Sequence, residues 1–322
     1  MALAIGLPDG RSQIERERNV TIGFVGLGQM GRPMAHNLTR PPGNYIVCSR
    51  RAEHFAEFAD RGVQATTRVA DLAGAEVLVL SLPGTSAVNE VLFGVDGVAK
   101  RLQPGALVID TSTISYGATV EIGRTLRDMQ LSFVDAPVSG MQARAEDGTL
   151  TIMCGGDAAA FEAARPWLQR MGRDILYMGA AGAGQLTKLI NQLLFDINAA
   201  ALAEVLPMAA RMGLDPEKVG AVVNGGTGRS YASEFFVPRI LQNRFSDGYP
   251  MKHAYKDLVS AAELSAARGI PMPVLAAATA TYQQALLRGH GDHDKGGMIR
   301  VFEDLLGVRF RRDLSTDARK DN

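Results

Sequence analysis

The sequence predicts a doubly wound α/β sheet domain followed by an all-α domain, and three observations carry that reading. Short apolar runs alternate with helical patterns from Val20 to about Gly179. A glycine-rich stretch, "GFVGLGQMGRPMAHNL" (Gly23–Leu38), follows the first of those runs. After "GAAGAG" (179–184) no strand pattern returns.

The strand candidates are "VTIGFV", "YIVCS", "EVLVLSLP", "ALVIDTST", "LSFVDAPVS", "LTIMCGG" and "DILYMG". Most are near-continuous apolar runs, as expected of parallel strands covered on both faces. Helical patterns such as Met34–Leu38, Ala52–Arg61, Thr85–Phe93 and Tyr116–Met129 lie between them. Gln185–Met212 then reads as one helix of about 40 Å. Its apolar positions run almost all round, which predicts burial between domains or subunits. Helices are expected near Pro216–Asn224, Ser233–Gln242, Ala254–Arg268, Pro273–Arg288 and Gly297–Leu306. The expected division is therefore a sheet domain over 20–180 and a helical domain over 181–308, flanked by an extension (1–19) and a polar tail (309–322).

Composition bounds the function. A chain of 322 residues, 46% hydrophobic and 21% charged, suits two soluble globular domains. Lys+Arg and Asp+Glu both number 34, which argues against a basic surface for nucleic acid or anionic lipid. Cys48 and Cys154 sit in apolar strand-like runs, so reduced buried thiols are expected rather than a disulfide or a metal site. The start, "MALAIGLPDGRSQIERERN", lacks a basic n-region. No apolar run approaching the roughly 20 residues of a membrane span is apparent. A cytoplasmic protein is the expectation.

The glycines need a reason. Gly26, Gly28 and Gly31, with Leu27, Gln29 and Met30 between them, form a GxGxxG placed between a strand and a helix. In that setting the first glycine makes a tight turn, the second admits a pyrophosphate, and the third lets helix and strand pack closely. The helix N-terminus then faces the phosphates. This makes the first domain a Rossmann-type dinucleotide site. The next strand ends at Ser49, Arg50 and Arg51, with no acid before Glu53. An acid there would bind the ribose hydroxyl of NAD, whereas guanidinium groups suit a 2′-phosphate. NADP(H) is therefore expected over NAD(H).

Two segments offer chemistry. In "DAPVSGMQARAEDGTL" (Asp135–Leu150), Ser139 and Gly140 could hold a carboxylate through a hydroxyl and backbone N–H groups, or simply turn the chain. In "GAGQLTKLINQ" (Gly182–Gln192), Lys188 and Asn191 share a helical face, with Gln185 and Gln192 close to it. Apolar neighbours and a nicotinamide cation would lower the proton affinity of Lys188 and suit it to proton transfer. Read by itself, the plainer account prevails, a lysine whose stem packs while its head reaches water.

These segments, followed by "KDLVSAAE" (Lys256–Glu263), occur in an order that resembles the β-hydroxyacid dehydrogenase family, over roughly Val20–Leu306. The resemblance implies that Lys188 is the catalytic acid/base, that Asn191 holds the substrate or the lysine, and that Ser139–Gly140 binds a small carboxylate substrate. It implies that Lys256 and Asp257 close over the cofactor. Leu82–Pro83 in "SLPGTS" and Thr113 in "DTSTI" match contacts near the nicotinamide end. Ser49–Arg50 stands where NADP-preferring members resemble Asn-Arg. Members of the family are usually homodimers or homotetramers built on the helical domain.

Two departures bear on the substrate. Met141 stands where the family usually has a second glycine, and Tyr231, in "GRSYASE", where a pocket-lining segment often carries tryptophan. The expected activity is hydride transfer between NADP(H) and a small β-hydroxy acid or its semialdehyde. Two alternatives stand beside it. An imine reductase shares the fold but resembles this chain less at Lys188, and a non-catalytic dinucleotide-binding scaffold generally loses that lysine or adds domains.

Overall fold

The computed structural model describes residues 20–40 and 43–311. The expected extension (1–19) and most of the expected tail (309–322) lie outside the described residues. The chain divides into two compact units, one running to Lys188 and the other beginning at Leu189. That division falls inside a helix, beyond the change of pattern at residue 180.

The first unit contains, in chain order, β1 (Thr21–Val25), α1 (Gly31–Leu38), β2 (Asn44–Cys48), α2 (Phe55–Ala59), β3 (Gln64–Thr66), β4 (Val77–Leu80) and α3 (Thr85–Phe93). There follow β5 (Leu107–Asp110), α4 (Tyr116–Asp128), β6 (Ser132–Asp135), β7 (Val138–Ser139), α5 (Met141–Glu146), β8 (Leu150–Gly156), α6 (Ala158–Leu168) and β9 (Gly172–Gly179). One sheet runs β3-β2-β1-β4-β5-β6-β8-β7, with β9 on β8. The order reverses between β1 and β4, which in a doubly wound sheet is where ligands bind.

Residue alternation explains the continuous apolar runs. Ile22, Phe24, Val77, Val79, Leu107 and Ile109 enter one core, while Val25, Leu78, Leu80 and Val108 enter another. Each strand thus needs apolar side chains on both faces. The six strands from β3 to β6 are parallel, as expected. β8 is not: it runs antiparallel to β6 and β7. The short link through α5 brings the chain back beside β6 instead of crossing over the sheet. A strand buried on both faces looks the same in either direction, so composition could not reveal this. β3, three residues of "QAT" at the sheet edge, carries no apolar pattern at all.

The second unit is helical. α7 (Ala183–Arg211) begins in the first unit and continues through it, followed by α8 (Pro216–Gly225), α9 (Tyr231–Leu241), α10 (Met251–Ala267), α11 (Pro273–Leu287) and α12 (Ile299–Leu306). Leu193, Ala199, Ala200, Ala203, Leu206 and Ala209 of α7 pack with Phe236, Leu258, Tyr282 and Ile299 in a single core. α7 also corrects one expectation. It is long and apolar enough to cross a membrane by length and composition, although the sequence reading found no such run. The stretch is interrupted by Lys188 and Asp196, and much of it is buried in the helical core.

Candidate active site

The glycine turn closes as its spacing requires. Gly26 has φ +104°, and a Cβ there would lie 2.1 Å from the Ser81 carbonyl oxygen. A Cβ on Gly31 would lie 2.0 Å from the carbonyl oxygen of Gly26. Both positions therefore exclude any side chain. At Gly28 a Cβ would meet nothing within 4 Å, so its absence leaves an open approach to the backbone. No side chain caps the N-terminus of α1 and no acid stands in its first turn. This is a cradle an anionic pyrophosphate fits. Leu27 is buried in the core, with Met30 packed against it, while Gln29 is exposed at the rim.

Ser49, Arg50 and Arg51 follow β2 directly. Arg51 pairs with Glu53 at 3.4 Å, both largely exposed. Arg50 is exposed and has no ion pair among the described residues. Glu57, the next acid, accepts from His36 and from His54, each at 3.0 Å, and faces Arg32 at 3.5 Å. The hydrogen bond with His36 leads in holding its carboxyl below the usual range.

Beyond the ends of β4, β5 and β6 a buried polar network joins several expected contact segments. Asp110 and Asp135 end their strands side by side. Asp110 Oδ1 accepts the Ser112 N–H at 2.9 Å, and Ser112 Oγ accepts the Leu82 N–H at 2.9 Å. Asp135 accepts the N–H groups of Gly182 and Gln185, at 2.7 and 2.9 Å, and so caps α7. The Gln185 amide donates to the Ser112 carbonyl at 2.6 Å and accepts the Ile114 N–H at 3.2 Å. Burial pushes Asp110 up to about 7 and Asp135 up to about 6.

The expected residues of the sheet unit thus gather along one edge. Leu82–Pro83 follows β4, Thr113 is exposed beyond β5, and Ser139–Gly140 ends β7. Gln29 of the glycine turn donates to Gln142 at 3.0 Å, tying that turn to the first turn of α5, just after Ser139–Gly140. Lys188 lies one turn along α7 from Gln185 and is half-buried. Gln185 itself, expected close to the Lys188 face, turns inward to the sheet instead.

In the helical unit, Asn191 is exposed on α7, three residues beyond Lys188. Tyr231 opens α9, exposed, with its ring 5.6 Å from that of Phe195. On α10, Lys256 is exposed and Asp257 half-buried. Sequence reading missed the Asp110–Ser112–Gln185–Asp135 network. Its signal was available: two apolar strands, "LVID" and "SFVD", each end in aspartate. The two cysteines are free and buried, and burial raises Cys48 to about 11 and Cys154 to about 12.

Residues 21–179 match the family model of the NAD binding domain of 6-phosphogluconate dehydrogenase. Residues 182–302 match that of the NAD-binding region of NADP-dependent 3-hydroxyisobutyrate dehydrogenase. The chain is 35% identical over 294 residues to 2-(hydroxymethyl)glutarate dehydrogenase of Eubacterium barkeri, covering 91% of this chain and 98% of that protein. The chain belongs to the β-hydroxyacid dehydrogenase family. L-threonate dehydrogenase of Cupriavidus necator is 36% identical over 286 residues, 88% of this chain and 96% of that one. The 3-hydroxyisobutyrate dehydrogenase of Mycobacterium tuberculosis, solved with L-serine, superposes with a TM-score of 0.79 at 30% identity, covering 87% of this chain and 98% of that one.

As a β-hydroxyacid dehydrogenase the chain is an NAD(P)-dependent enzyme, and its sheet unit is the dinucleotide-binding domain. The departure at Met141 acquires a physical meaning here. Its φ is +60°, a left-handed conformation that favours glycine, and its side chain is 44% exposed. This member therefore holds a thioether beside Ser139–Gly140 at some expense in backbone strain.

Proposed function

We propose that this enzyme interconverts a small β-hydroxy acid and its semialdehyde, with NADP(H) preferred over NAD(H) and Lys188 as the general acid/base. The observation that carries this reading is the anchoring of α7. Asp135 fixes its first turn to the end of β6, the Gln185 side chain fixes it to the loop after β5 that bears Thr113, and Lys188 follows one turn later. Gly26–Gly31 would hold the pyrophosphate, and Arg50, exposed after β2, the 2′-phosphate. Ser49 and Arg51 flank it, with Arg51 shared with Glu53. The nicotinamide, when bound, supplies or accepts the hydride.

The protein's own residues do the rest. Ser139 Oγ and the N–H groups at Gly140 and Met141 would orient the carboxylate, which fixes the neighbouring carbinol. In oxidation, the Lys188 amine takes the hydroxyl proton as the hydride leaves; in reduction, the ammonium returns it. Asn191 would hold the substrate or the lysine, Tyr231 line the pocket, and Lys256 and Asp257 border the coenzyme. The substrate class is supported by chemistry common to the relatives: 2-(hydroxymethyl)glutarate, L-threonate, 3-hydroxyisobutyrate and L-serine all carry a hydroxyl β to a carboxylate. Buried, unpaired thiols suit a reducing compartment such as the cytoplasm.

A homo-oligomer accompanies this reading. Ile190, Leu194, Val205 and Met208 are each more than half exposed, and their spacing puts them on one stripe of α7. A second copy of the chain would cover that stripe, and light scattering is expected to give a mass that Val205→Glu with Met208→Glu lowers.

The functional reading is tested by following NADPH and NADH oxidation over a panel of small semialdehydes. NADPH-dependent reduction of one of them is expected. A strong NADH preference would remove the role of Arg50, and reduction of imines alone would replace the hydroxy-acid reading.

A further inference from the structure

Gln185 sits where three strand ends meet the helix that carries Lys188. It is 2% exposed, and its side chain both donates to the Ser112 carbonyl and accepts from Ile114 N–H. Ser112 in turn accepts the Leu82 N–H and donates its own to Asp110. One amide therefore connects the loops after β4 and β5 to the first turn of α7. The main-chain N–H of the same residue is held separately, by Asp135.

These two attachments have different consequences. Any residue but proline at 185 keeps its main-chain bond to Asp135, so the helix start survives substitution. The glutamine side chain bonds that turn to Ser112 and Ile114 directly. We infer that Gln185 is a positioning residue for Lys188, locking the first turn of α7 to the Ser112–Ile114 loop so that the amine and the neighbouring backbone keep one geometry. The inference rests on the reading of Lys188 given above. Displacement of a reacting group by about 1 Å lowers rates by about 10²-fold, so a small rotation of this turn is enough to matter.

The test is a double-mutant cycle in kcat using Gln185→Met, which keeps length and packing but loses both side-chain hydrogen bonds. Thermal unfolding and NADPH affinity are measured alongside. Gln185→Met is expected to lose roughly 10- to 100-fold in kcat, with NADPH affinity within about threefold of native. In the Lys188→Ala background the same change is expected to alter kcat by less than about twofold, because the group it positions is gone. Should Gln185→Met fail to fold, Gln185→Asn, one methylene too short to span both partners, carries the same cycle. Independent, multiplying losses would overturn the positioning role while leaving Lys188 in place. Normal turnover by Lys188→Ala alone would overturn both readings.

Discussion

The two units bury their carboxylates by different means. In the sheet unit, Asp110 and Asp135 accept main-chain N–H groups, and neither has an ion pair among the described residues. In the helical unit, Asp196 of α7 faces the ammonium of Lys295, in a pair that is 0% and 2% exposed, with that ammonium also 4.2 Å above the Phe195 ring. A carboxyl held by N–H groups can take up a proton and stay in place. A carboxylate held by a buried cation leaves a charge behind when either partner goes. The helical unit should therefore respond sharply to loss of one partner; burial raises Asp196 as well, to about 6, so the pH response that sets the sheet unit apart is that of Asp110, raised to about 7.

The largest effect expected is in the helical unit. Lys295→Met should destabilise by about 3–5 kcal/mol in urea unfolding, because Asp196 is left without its cation. Replacing both partners, Asp196→Leu with Lys295→Met, should return stability to the native value or above it. Equal losses in the single and double variants would break the contrast.

The sheet unit should show its difference in a pH series. Burial raises Asp110 to about 7, above the ordinary value of 3.8 expected in the unfolded chain. Between these values the native state binds more protons, so this group's contribution is full below pH 3.8 and is lost as pH rises through 7. The slope for one proton is at most about 1.4 kcal/mol per pH unit. Asp110 Oδ2 is buried with no hydrogen-bond partner, a position that an asparagine amide fills without charge. Asp110→Asn should flatten the decline in melting temperature over that window. An unchanged slope would show that Asp110 does not titrate there.

A smaller effect is expected at the edge of the sheet unit. Met141→Gly should raise stability by roughly 0.5–1 kcal/mol by relieving the left-handed backbone, with an altered KM for the acid. A loss of stability would mean that the thioether contributes more packing than the backbone strain removes.

The parts legible in the sequence are those fixed by neighbouring residues. The strand runs were visible because both faces of each strand are buried, and α7 because its apolar positions serve a core on one side and an exposed stripe on the other. The glycine turn was legible because Gly26 and Gly31 answer to sterics within the turn and its adjoining strand. The direction of β8 was not, since it depends on how the chain returns through α5. The bonds that tie the first turn of α7 to the sheet unit's strand ends join residues 47 to 73 positions apart, a separation no local pattern encodes. Lys295 was passed over because lysine is ordinarily a surface residue. Its partner, Asp196, stands alone in an apolar stretch of helix.

The central claim is that one amine, on the first turns of α7, carries the proton in an NADP(H)-dependent oxidoreduction. The most direct measurement is the kcat of Lys188→Ala, with NADPH binding titrated on the same sample. The account predicts a fall of roughly 10²- to 10⁴-fold with NADPH affinity unchanged. Turnover within a few-fold of the native enzyme would contradict it.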